Sequence, residues 1–179
     1  MAREVVKKDE VAKFEFIILL CAASITKSIK ELYENSLKDG NLELASGSVL
    51  FKWSTVFLES IYFYSYKLNL PNEFESDLFG LLANVFFMAS PDNERRQVEK
   101  DMVNGCLKRK NEYKNYKGDA GPPHLYGKVI AESAGFGLNA LFIVLISNLS
   151  IKRLNLYMSF YEADIRGKEV DLGKIVETL

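Results

Sequence analysis

SGSVLFKWSTVFLESIYFYSYKLN, residues 46–69, is the stretch on which the fold turns. Phe51, Trp53, Phe57, Tyr62, Phe63, Tyr64 and Tyr66 crowd it with aromatic rings. A β-strand runs to about 5–6 residues, and this apolar pattern persists far longer, so it reads as helix. One narrow polar line survives in it: Lys52, Thr55, Glu59, Tyr62 and Tyr66. Steps of three and four residues put these on one side of a helix. The expected element is a central helix, apolar nearly all round, with a thin wet edge.

Working outward, helical spacing recurs on both sides. Before the aromatic segment, Val11, Phe14, Ile18, Ile25, Ile29 and Leu32 mark a helix over Asp9–Leu37. Lys38-Asp39-Gly40-Asn41 stops it, with Gly40 suited to a left-handed cap. After the segment, Asn72 and Glu75 have capping-box spacing. They open a helix over Glu73–Ala89 whose apolar face reads Phe74, Leu78, Leu81, Leu82, Val85 and Phe86. Ser90-Pro91-Asp92 is an N-cap, a first-turn proline and an acid at the positive end of the dipole. The helix it begins, Pro91–Lys117, has only a thin apolar stripe of Val98, Met102, Cys106 and Tyr113, and belongs on the surface.

Gly118-Asp119-Ala120-Gly121-Pro122-Pro123-His124 is a loop. A fifth helix is expected over His124–Ser147 and a sixth over Ser150–Ile165, with Asn148 as the break if they are separate. Gly127, Ala131 and Gly135 fall four apart on one face, the spacing that lets two helices approach closely. The fold class is therefore all-α: a compact bundle of five or six helices with an aromatic-rich core, in one domain over 1–179. Residues 165–179 are expected to dock as a tail through Val170, Leu172, Ile175 and Val176.

Composition narrows the function classes more than it selects one. A chain of 179 residues with 48% hydrophobic and 26% charged residues is an ordinary globular domain. The formal net charge of −1 supplies no field toward nucleic acid or an anionic membrane. The run from Leu107 to Lys117 does interleave Tyr113 and Tyr116 with five cations, the pairing of charge and stacking that single-stranded nucleic acid uses. Cations near a helix C-terminus are equally what the dipole favours, so a solvated face is expected there. Ser133–Ile151 is uncharged over 19 residues, about the lower limit for a membrane span. Asn139, Ser147, Asn148 and Ser150 interrupt it, and a buried core helix is the reading adopted. Cys21 and Cys106 are far apart and form no metal or redox pair, which suits a reducing cytoplasm.

His124 is the single histidine, so a zinc site of two or three histidines within one chain is excluded, and no nucleophile elbow accompanies a serine. No catalytic residue, cofactor or metal is expected. Glu59 and Glu132 are lone acids in apolar surroundings, the setting that raises a carboxyl pKa. Each also has a cation within reach along its helix, Lys52 and Lys128. The favoured function is a non-catalytic helical interaction or regulatory protein, cytoplasmic, with a homodimer or another protein as partner. The alternative is a binder of an apolar or aromatic small molecule between helices. The candidate contact residues are Trp53, Glu59, Tyr62, Tyr66, His124 and Glu132. The dimer argument is angular. Tyr62 and Tyr66 share one side of their helix and Tyr64 points the other way, so one side needs a partner or a cover such as the C-terminal tail.

Overall fold

In the computed structural model, which describes residues 8–39, 49–70 and 72–165, the chain forms six helices and no strand among those residues. They are α1 Lys8–Lys38, α2 Val49–Lys67, α3 Asn72–Phe86, α4 Asp92–Asn115, α5 Gly121–Ala134 and α6 Ala140–Ile165. Four of them close a ring: α1 packs on α2, α2 on α5, α5 on α6, and α6 back on α1. The α3–α4 hairpin is an outer layer, set against α2 and α5 through α4. The expected all-α bundle with an aromatic core is the observed fold.

The core sits inside the ring. Ile18, Cys21, Ile25 and Ile29 of α1, Ile61, Phe63 and Tyr64 of α2, Tyr126 and Ile130 of α5, and Ile146 of α6 have no exposed surface. Phe63 stacks on Tyr126 with ring centroids 4.2 Å apart and meets Tyr113 of α4 edge-on at 5.5 Å. Tyr33 joins Trp53 and Phe136 at the end of the ring where α1 stops and α2 begins. Phe14 and Tyr161 close the other end, with centroids 5.0 Å apart.

The small-residue face of α5 does what its spacing predicts. A Cβ on Gly127 would lie 2.5 Å from the Ile143 carbonyl oxygen and would collide with the Ser147 hydroxyl. Only a residue without a side chain lets α6 come this near.

The largest departure from expectation is the boundary between α5 and α6. The helix expected to run to Ser147 ends at Ala134, and Asn148 lies in mid-helix on the exposed side of α6. The reason is local. Gly135 adopts φ 88° as a left-handed cap, its N–H bonded to the Ala131 and Glu132 carbonyls, and Gly137 follows at φ 62°. Asn139 then caps α6, its side-chain oxygen accepting the Leu141 N–H at 3.0 Å. Phe136 plugs the corner, stacked on Phe142 at 4.3 Å. The uncharged run is thereby divided between two helices. Ala140–Glu162 alone is long and apolar enough to cross a membrane among the described residues. Past Leu145, however, its exposed side is Asn148, Lys152, Asn155, Ser159 and Glu162.

Smaller corrections concern caps. Pro91, not Ser90, is the N-cap of α4 and makes no side-chain cap bond. The Pro91 carbonyl instead takes the first amide bonds from Glu94 and Arg95. The Arg95 guanidinium closes the preceding turn by donating to the Met88 and Ser90 carbonyls. The Glu75 carboxylate does not reach back to complete a capping box, because it is turned to Lys110 and Cys106. The expected Gly40 cap and the expected docking tail beyond Ile165 lie outside the described residues.

Candidate functional site

The polar line of α2 is not a wet edge. It is the seam on which α4 sits. Glu59 receives two bonds from Arg109, Nε to Oε2 at 2.7 Å and Nη2 to Oε1 at 2.8 Å. This fork-to-fork geometry is the strong form of a carboxylate–guanidinium pair. Glu112, one turn on, takes the remaining Arg109 nitrogen. These bonds to both carboxylates outweigh partial burial and hold the Arg109 pKa above its ordinary value. Lys52, the cation expected for Glu59, instead places its ammonium 4.0 Å over the Tyr33 ring.

Tyr62 lies one turn further and is buried. Its hydroxyl oxygen is 2.7 Å from where a Cβ of Gly105 would stand, so the glycine in α4 makes room for the ring. On its other side Tyr62 meets Phe79 of α3 edge-on at 5.7 Å. Tyr66 packs against Tyr113 at 5.2 Å. Burial, with the nearby Glu59 charge adding to it, pushes the phenol pKa of both Tyr62 and Tyr113 up.

A second charged group lies beneath the hairpin. Glu75 is fully buried and ion-paired to Lys110, whose ammonium also donates to the Leu70 carbonyl at 2.9 Å. The Cys106 thiol donates to the same carboxylate oxygen at 3.4 Å. The other oxygen, Oε2, is buried without a hydrogen-bond partner. Burial first, and then the Glu75 charge, push the Cys106 thiol far up, so it is a protonated donor and not a nucleophile. Burial likewise pushes Cys21 up to about 12. Among the described residues, no three His, Cys, Asp or Glu side chains are grouped to hold a metal.

On the ring side of α2 the joints are neutral. The Ser60 hydroxyl bonds the Val56 carbonyl at 2.6 Å and shares a bond of 2.8 Å with the Tyr126 hydroxyl. Tyr64 donates to the Ser150 carbonyl at 3.2 Å. Burial pushes the phenol pKa of Tyr64 and Tyr126 up as well.

The structure thus brings together Glu59, Tyr62 and Tyr66 of the candidate residues, and does so inside the chain, under α4. Trp53 is half-buried against Tyr33, 5.6 Å between centroids. His124 is half-buried in the first turn of α5, which begins at Gly121 with both prolines inside it. Glu132 is exposed on the far end of α5. These three form no cluster with the first three. The cover over Tyr62 and Tyr66 is α4, so their helix gives no reason for a partner.

Exposed apolar surface lies elsewhere. Leu81, Val85 and Phe86 of α3, with Phe87 and Met88 of the turn that follows, are exposed, although the first three read as core. Leu78, Phe79, Leu82 and Ala83 face inward in their place. Leu138, Leu141, Val144 and Leu145 form a second exposed group at the start of α6. Phe136 meets Tyr33, which places the α6 group toward the end of the bundle where α1 gives way to α2, whereas Phe86 meets Phe57 in the middle of α2. Residues 78, 79, 81, 82, 85 and 86 fall within one broad apolar arc of α3, and spacing alone does not say how much of that arc the fold covers. Compared with protein-family models, with curated proteins and with solved structures, the chain matches none.

Proposed function

We propose that this chain is a non-catalytic interaction or regulatory protein, and that it binds a protein partner through its exposed apolar side chains. The observation that carries this reading is the pair of exposed groups, Leu81–Met88 and Leu138–Leu145, nine large apolar side chains in all. Exposed Leu or Phe residues scattered singly are normal, but contiguous patches of several hundred Å² mark contact surfaces. The titratable groups support the same reading. Glu59 and Glu75 are committed to Arg109 and Lys110, and both thiols are held protonated. They are ion pairs and donors that hold helices together.

The test is affinity capture with immobilised full-length chain, in parallel with Phe86→Ser/Met88→Ser and Leu141→Ser/Leu145→Ser variants. The expected result is a partner retained by the parent chain and lost from at least one variant whose circular dichroism is unchanged. Identical retention by all three would overturn the proposal.

A further inference from the structure

We infer that the joint between α1 and α6 is a binding site for a small inorganic anion of the chloride type, held by the hydroxyls of Ser24 and Tyr157 beside the Arg153 guanidinium. Two contacts bracket the place. Phe14 of α1 meets Tyr161 of α6 at one end of the joint, and Ser28 of α1 accepts a bond of 3.2 Å from Arg153 Nη2 at the other. Cys21, Ser24 and Ser28 follow one another along α1 at steps of three and four residues, and Arg153, Tyr157 and Tyr161 along α6 at steps of four. Such steps set each series on one side of its helix. Ser24 therefore stands between Phe14 and Ser28 on the side of α1 that meets α6. Tyr157 stands between Arg153 and Tyr161 on the side of α6 that meets α1. Ser24 is 1% exposed and Tyr157 2%. Among the described residues neither hydroxyl has a hydrogen-bond partner, so they are not bonded to each other either.

The chemistry of the joint selects the occupant. Folded proteins leave few buried hydroxyls unsatisfied, because each costs about 1–3 kcal/mol. The groups gathered here are donors: the two hydroxyls, the buried Cys21 thiol one turn before Ser24, and a guanidinium that carries no acceptor atom. The Ser150 carbonyl, one turn before Arg153 and Leu154, already accepts from the Tyr64 hydroxyl at 3.2 Å. The local field is positive. Burial first pushes the Cys21 thiol and the Tyr64 phenol up, and the Arg153 charge pulls both part of the way back. Tyr64 also feels Cys21 and Tyr157, which puts these four groups in one neighbourhood. A water there would accept from both hydroxyls but would bring two protons in need of acceptors of their own. A monatomic anion accepts from every side, donates nothing and gains from the guanidinium charge. Ile18, Ile25 and Leu154 are buried around the same lines, which closes the joint to a bulky ligand. Because α1 on α6 is the contact that closes the ring of helices, the anion pins that closure.

The experiment is thermal unfolding of the full chain in sodium chloride and in sodium gluconate of equal ionic strength, gluconate being too bulky for the joint. Chloride at about ten times its dissociation constant is expected to raise the melting midpoint above that in gluconate by about 3–6 °C. Tyr157→Phe and Ser24→Ala are each expected to cancel that rise. In gluconate each should keep the parent midpoint or exceed it, because each removes a hydroxyl that has no partner. A parent chain with no chloride-dependent rise overturns the inference. So does a rise that both variants retain, which is a general salt effect. Variants that lose the same stability in both salts overturn it too, since water or the chain would then already satisfy the hydroxyls. Chloride NMR of the parent chain keeps the test independent of whether the variants fold. The chloride line is expected to broaden with added chain and to narrow when bromide competes, and a line that the chain leaves sharp overturns the inference.

Discussion

The two sides of α2 are joined to their neighbours by different chemistry. Toward α5 and α6, the contacts are ring on ring and hydroxyl on carbonyl: Phe63 on Tyr126, Ser60 with Tyr126, Tyr64 with Ser150. Toward α4, rings meet as well, Phe63 and Tyr66 on Tyr113, but charge is added: Arg109 on Glu59, with Lys110 of α4 on Glu75 of α3 just beyond it. A neutral hydrogen bond broken between buried partners leaves a polar group unsatisfied, at a cost of about 1–3 kcal/mol. A buried ion pair has one correct register, because either charge left alone in the interior is costly. The difference points to a division of labour in which the ring supplies cohesion and the charges fix where the α3–α4 layer sits on it.

Alkaline unfolding is the broadest test of that comparison. Tyr64 and Tyr126 on the ring side, and Tyr62 and Tyr113 on the α4 side, all have phenol pKa values pushed up by burial. An acid whose pKa is raised by folding contributes stability that is complete below its unfolded value and is lost as pH rises past it. The window opens near pH 9, where the two buried thiols would ionise if unfolded, and deepens near pH 10, where unfolded tyrosine ionises. At pH 11 each protected phenol lowers stability by about 1.4 kcal/mol, so the four together remove about 5.5 kcal/mol. The urea midpoint should fall steeply between pH 9 and pH 11. In the Tyr62→Phe/Tyr113→Phe variant the fall should be smaller by about 2.8 kcal/mol, half of the tyrosine share, with the loss from the two buried thiols unchanged. Four additional tyrosinates appearing reversibly near pH 10 in the folded chain, by absorbance at 295 nm, would break the comparison.

Next in size is Lys110→Met, which acts on the charged side alone. It leaves Glu75 fully buried and without its cation, for a loss of about 3 kcal/mol by urea denaturation. Adding Glu75→Leu to Lys110→Met should restore most of that loss. If the single and double variants are equally unstable, the pair is not what seats the hairpin.

The smallest effect of the three belongs to the neutral ring. Gly127→Ala forces α5 off the Ile143 carbonyl and the Ser147 hydroxyl, for about 2 kcal/mol after the gain in helix propensity is counted. The melting temperature should drop by about 4–8 °C. A rise would show that the two helices have room to separate.

Periodicity is sufficient for the architecture and insufficient for its surfaces. The apolar steps of α1 through α4 place those helices to within a few residues, because side-chain spacing on a helix is fixed by its geometry. The α5–α6 corner escapes for a physical reason. Gly135 and Gly137 read as part of a small-residue face, and Gly127 indeed belongs to one. Nothing in spacing alone separates a glycine that lets a helix approach from one that ends a helix by taking positive φ. Asn139, two residues after Gly137, is the available clue, since asparagine is a strong N-cap. Among the candidate residues, spacing groups Glu59, Tyr62 and Tyr66 on one line, correctly, but makes that line face water when it faces α4. The cation that holds Glu59 lies fifty residues away in α4, and a partner at that distance leaves no trace in local spacing. The exposure of Leu81, Val85 and Phe86 escapes because spacing marks the apolar face of α3 but not how much of it the neighbouring helices cover.

The ring of helices also bears on how the chain assembles. α1 with α2, α3 with α4, and α5 with α6 are pairings of consecutive helices, so most of the packing is available to contacts close along the chain. Such short-range topologies reach the native state quickly, since little chain must be ordered before a contact is rewarded. One joint is different. Phe14 and Tyr161 bring α1 against α6 from almost opposite ends of the sequence. The entropy of closing so long a loop grows only with the logarithm of its length, by about 0.6 kcal/mol for each doubling. Once the three pairs exist, the span left to be ordered is shorter still. A single long-range closure can thus complete the ring without giving up the speed of a locally wired bundle.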